Sequence, residues 1–97
     1  MIPRKTIVIG GRKWRIVVKD EVFDDDGKSV LGTCCHNTRT LEIKRGDDGV
    51  MRDTLLHEIG HALMPSAKEK DVLDFEAGLL LLWKDNRALW NYMLERE

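Results

Sequence analysis

Apolar and polar positions alternate through the first half of the chain, and after residue 46 the apolar positions recur at helical spacing instead. Lys5 to Ile9 is rich in β-branched residues, Gly10-Gly11 is a two-residue hairpin signal, and Lys13 to Val18 follows with further β-branched and aromatic enrichment. This predicts a first hairpin. Asp20 to Gly27 is acidic and ends in Asp-Gly, so it reads as a connecting loop. A second hairpin is expected from Leu31 to Lys44, turning near Asn37-Thr38, and the alternation of Thr40 to Lys44 suits a half-buried edge strand.

Beyond Gly46, Asp47 or Asp48 can cap a helix whose apolar positions Val50, Met51, Leu55, Leu56, Ile59, Ala62 and Leu63 share one face as far as Met64. Pro65 stops it. Ser66 is expected to cap a second helix from Ala67 to Lys84, and its apolar members Val72, Leu73, Phe75, Leu79, Leu80, Leu82 and Trp83 leave only a narrow polar stripe. That helix should be mostly buried. Asp85-Asn86 opens a short third helix with Leu89, Trp90, Met93 and Leu94 on one face. The expected layout is α+β, with two hairpins and then three helices.

A chain of 97 residues, 42% apolar and 34% charged, fits one domain over 1–97 with a single modest core. Its net charge of −1 argues against a non-specific nucleic-acid binder. The average hides an asymmetry: residues 1–45 carry 10 basic and 6 acidic side chains, and the remainder carry 6 and 11. The adjacent Cys34 and Cys35 are poorly placed to pair with each other. No secretory signal and no bilayer-spanning apolar run is visible, so a cytoplasmic protein with free thiols and no membrane association is expected.

The chemistry concentrates in His57-Glu58-Ile59-Gly60-His61. Histidines four residues apart project from the same side of a helix, where both imidazoles can reach one cation at about 2.0–2.1 Å. Glu58 lies about 100° around the helix, badly placed as a ligand but able to reach a metal-bound water as general base. Gly60 interrupts the helix at a cost of about 1 kcal/mol, which makes sense if another element must approach closely. A third ligand is needed for one zinc ion. Glu69, Asp71 and Glu76 on the second helix are the candidates: Glu69 shares a side with Val72 and Glu76, and Glu76 is a charge within an apolar stretch. Glu69 is favoured, while Glu69 and Asp71 also suit a helix N-terminus. Cys34 and Cys35 read as sheet residues, and Trp14, Trp83 and Trp90 as core. No motif places an oxyanion donor; Tyr92, His36 and Arg39 are the available side chains.

The order Gly32-Thr33-Cys34, Thr38 to Ile43, Thr54 to Leu63, Glu69-x-x-Val72 and Lys84-Asp85-Asn86 resembles the small metallopeptidase-like proteins of bacteriophage and prophage genomes. More distantly it is similar to the SprT-like and ImmA/IrrE-type minimal zincins. The resemblance implies a minimal zincin-like fold, in which a small antiparallel sheet of about four strands packs on the active-site helix and two further helices follow. It implies a zinc-dependent, phage-type metalloprotease, a hydrolase with His57 and His61 as ligands and Glu58 as base. An acidic residue near the start of the second helix, here Glu69, would be the third ligand; alignment to the ImmA type selects Asp71 instead. A peptide or protein substrate is expected to pair along the edge strand Thr40–Lys44. A reading from a different class is a non-catalytic binding or regulatory protein in which zinc fastens the two helices together.

Overall fold

The computed structural model describes residues 1–95. Six strands precede three helices: β1 (Thr6–Ile9), β2 (Arg12–Lys19), β3 (Val22–Phe23), β4 (Ser29–Val30), β5 (Gly32–Cys35), β6 (Thr40–Lys44), α1 (Asp48–Leu63), α2 (Glu69–Asp85) and α3 (Arg87–Leu94). The α+β class and both hairpins are as expected. Gly10 and Gly11 take φ of 58° and 76°, the left-handed pair that a tight turn matched to strand twist requires.

The sheet differs from an antiparallel one. Its strand order is β1-β2-β6-β5, and β6 pairs parallel with β2 while pairing antiparallel with β5. Thr40–Lys44 is therefore a central strand, not an edge. Its alternation was read correctly, since Leu41 and Ile43 are wholly buried while Glu42 and Lys44 are only partly so. Alternation reports which face of a strand is covered and is silent on whether its hydrogen-bonding edges are taken. The crossover that parallel pairing demands is the segment from Asp20 to Arg39. Within it Val22–Phe23 pairs with Ser29–Val30, where a plain loop was expected, because Val22 is buried and Asp24 organises the turn. The Asp24 carboxylate accepts from the Asp26 and Lys28 amides at 2.9 Å each.

Helix α1 begins as anticipated, with the Asp47 side chain accepting from the Val50 amide, and ends one residue before Met64 and Pro65. It lays Met51, Leu55, Ile59 and Ala62 across the sheet, against Ile9, Trp14 and Leu41 on one side and Ile16 and Ile43 on the other. Helix α2 starts at Glu69 and not at Ala67; its N-cap is Lys68, because Pro65 and Ser66 are used in the turn between the helices. It is also far more exposed than expected. Val72 is its one buried residue, and Trp83 is half exposed, so of the tryptophans with an assigned core role only Trp14 is fully buried.

Gly60 sets the spacing of α1 and α2. A Cβ there would lie 2.9 Å from Cγ1 of Val72, a stiff and fully buried side chain. Gly60→Ala is thus expected to lower stability by about 1–2 kcal/mol in chemical denaturation, despite the better helix propensity of alanine, because overpacking outweighs it. Adding Val72→Ala should remove the penalty specific to the Gly60 change.

Candidate metal centre

Helical spacing brings the two imidazoles of α1 together, and the first turn of α2 brings a carboxylate to them. Nε2 of His57 and Nε2 of His61 are 3.2 Å apart. Glu69 spans both, with Oε1 at 2.7 Å from His57 Nε2 and Oε2 at 2.9 Å from His61 Nε2. His57, His61 and Glu69 form a group whose donor atoms lie within 4.8 Å of one another. A tetrahedral ion with bonds of about 2.0–2.1 Å needs its nitrogens about 3.3 Å apart, so the imidazole spacing fits zinc with hardly any movement.

Glu76 stands behind this group. Its Oε2 is 2.9 Å from His57 Nδ1, and both side chains are about five-sixths buried. With Nδ1 donating to Glu76, the lone pair on His57 Nε2 points at the oxygens of Glu69 and the nitrogen of His61. Acceptors that converge in this way are stable only around protons or a cation. Burial opposes charge on His57, but the Glu76 hydrogen bond and the carboxylates of Glu69 and Glu58 outweigh it and raise its pKa. Glu76 is seven residues from Glu69, two turns along one face of α2, and it orients a histidine where ligation was an alternative. Glu76→Gln is expected to weaken zinc binding about 10–100-fold by competition titration while leaving the fold intact, as removal of a carboxylate behind a ligating histidine does.

Asp71 is exposed and outside the group, so its carboxylate serves the positive end of α2. Glu58 is also outside the group. It is buried to 6% exposure on the sheet side of α1, and burial raises its pKa, with the two histidines opposing that shift.

Two clefts meet at Glu58 and His61. One, of about 540 Å³, is walled by Leu31, Gly32, Thr54 and Leu73; the other, of about 450 Å³, by Phe23, Thr33, Cys35 and His36; Glu58 and His61 line both. The strand between them is β5, whose one ladder partner among the described residues is β6, so that its other edge carries no strand pairing. Gly32 lets β5 lie this close, since a Cβ would be 2.7 Å from Thr54 Cγ2 and 3.1 Å from Glu58 Cγ. Sequence reasoning missed this role; the available signal was a glycine opening a short strand.

Cys34 packs against the core and is not part of the metal group. Burial, with the charges of Glu58 and Cys35 adding to it, pushes its thiol up to about 11. Of the side chains weighed as oxyanion donors, His36 alone lines a cleft with Glu58 and His61. Its Nε2 is 3.2 Å from the His61 carbonyl and its ring stands edge-on to Trp14. Arg39 is engaged with the Lys13 carbonyl, and Tyr92 is on α3, outside both clefts. No helix among the described residues is long and apolar enough to cross a membrane. Comparison of the chain with protein-family models, with curated proteins and with solved structures finds no match to any of them.

Proposed function

We propose that this chain is a zinc-dependent peptidase of the minimal zincin kind, with His57, His61 and Glu69 as the protein ligands and Glu58 as general base. One observation carries the reading: two imidazoles and one carboxylate converge, while a second, buried carboxylate stays out of their group and faces both clefts. A bound zinc ion supplies Lewis acidity and lowers the pKa of water. Glu58 takes a proton from the attacking water and delivers it to the leaving nitrogen, so the water adds across the amide and the carboxylate is regenerated. Its raised pKa brings it toward the range in which both transfers are easy. Glu76 fixes the His57 ring.

The substrate strand belongs on β5, because β6 has partners on both sides. An extended peptide added to the unpaired edge of β5 would run past Glu58, with one flank over Leu31 and Leu73 and the other near Phe23 and His36. The non-catalytic alternative requires a fourth protein ligand, and the ligand group among the described residues has three members. The discriminating experiment is zinc stoichiometry and X-ray absorption on the metal-loaded chain, together with mass-spectrometric readout of cleavage in a peptide library. One zinc with an oxygen from solvent and cleavage of peptides is the expected result. A coordination sphere closed by four protein atoms, with no cleavage, would instead establish the structural role.

A further inference from the structure

We infer that the end of α2 together with α3 is a homodimerisation surface, on which a second copy of this chain packs the same surface about a two-fold axis. Helix α2 is anchored to α1 through its first two turns by Glu69, Val72 and Glu76, and past Leu79 it has no buried residue. Leu80, Leu81, Leu82 and Trp83 are nevertheless consecutive apolar residues, and at 100° per residue they point in four directions. A helix apolar all round belongs inside a core, and α3 covers only part of it, through contacts such as Trp83 on Trp90 at 5.8 Å. Leu89, Tyr92, Met93 and Leu94 add further apolar surface, each more than half exposed.

The area is that of an interface. These eight side chains are 41% to 74% exposed. A standard complex takes about 800 Å² from each partner, and eight large apolar side chains exposed by about half are of that order. The molecule is also elongated: the radius of gyration is 14.1 Å, where a compact chain of this length has about 12.5 Å.

The charges are compatible with a second copy: Lys84, Asp85, Arg87 and Glu95, from the end of α2 onward, hold equal numbers of each sign, so an isologous contact meets no net repulsion. A membrane-surface helix needs a strongly basic polar face, and this one is balanced. Because Glu69, Glu76 and the clefts belong to α1, the first half of α2 and the sheet, pairing through the end of α2 and α3 leaves them open.

Sedimentation velocity and light scattering on the full chain at about 50 μM are expected to give twice the 11.2 kDa chain mass. Leu81→Lys/Tyr92→Lys, at two exposed positions, should weaken association at least about tenfold and give the monomer mass with unchanged circular dichroism; Val8→Lys, exposed on the far strand β1, should remain dimeric. In the unaltered chain, amide exchange over residues 80–94 should slow with rising protein concentration, while exchange in β6 should not. A monomer mass for the unaltered chain, a dimer that survives the double substitution, dissociation by Val8→Lys, concentration-independent exchange, or a monomer that sediments with anionic vesicles would each overturn the inference.

Discussion

Glu58→Gln is expected to reduce peptide hydrolysis by a factor of about 10²–10⁴ while zinc stays bound at one ion per chain. The amide is nearly isosteric with the carboxylate, so the packing of its stem beside Gly32 and Thr54 is kept. What it loses is the ability to accept a proton from water. Glu58 is outside the group of metal ligands, so its substitution should leave metal affinity within a few-fold of the original. In the unaltered chain, hydrolysis should fall as the pH drops, because a base with a raised pKa is protonated, and so inactive, below that pKa. The acid limb of the rate profile should therefore begin at higher pH than an ordinary glutamate would give, and Glu58→Gln should change the shape of that limb in the residual rate, leaving the loss of zinc that protonation of His57 causes. A Gln variant that cleaves as fast as the parent would remove Glu58 from the mechanism.

His61→Ala is the second large effect. It deletes the imidazole that faces both His57 Nε2 and Glu69 Oε2, leaving two of the three converging groups. Zinc affinity is expected to drop by at least about 10³-fold in a competition titration, and hydrolysis should fall to the background rate. The fold should survive. His61 is partly buried near the end of α1, and the core is carried by Leu41, Ile43, Val22 and Val72. Circular dichroism and a thermal scan of the metal-free variant against the metal-free parent check this directly. If the variant unfolds where the parent does not, the His61 side chain itself holds the helices together. Glu69→Ala should also lose zinc, and Asp71→Ala should not, since the Asp71 side chain lies outside the group.

The parts of this molecule legible in its sequence are those set by near-neighbour spacing. The four-residue separation of His57 and His61 fixes their approach as soon as the segment is helical, and the placement of Glu58 off their side follows from the same geometry. The Asp47 cap and the Gly10-Gly11 turn were readable for a similar reason, since each is a local conformational demand met by a residue suited to it. Gly60 was readable as a site of close approach, although the approaching group is a valine side chain of α2 and not backbone.

What went unread depends on which element comes to lie beside which. Alternation in Thr40–Lys44 showed a covered face, but an interior and an edge strand share that pattern, and parallel pairing with β2 leaves no mark in five residues. The apolar content of α2 argued for burial, yet composition reports only a preference for cover; within one copy only the first turns of the helix meet α1. Glu69, Asp71 and Glu76 were all admissible ligands from spacing alone. Only the packing of Val72 against Gly60 sets the rotation of α2 that turns Glu69 to both imidazoles, puts Glu76 behind His57 and leaves Asp71 outside the group. The sequence by itself thus determined the helical histidine pair, the placement of Glu58 off their side and the α+β order of elements, because these follow from spacing along one segment. The tertiary structure alone decided the third converging carboxylate, the strand with the unpaired edge and the exposed apolar end of α2 and α3, because each depends on contacts between segments that no local pattern encodes.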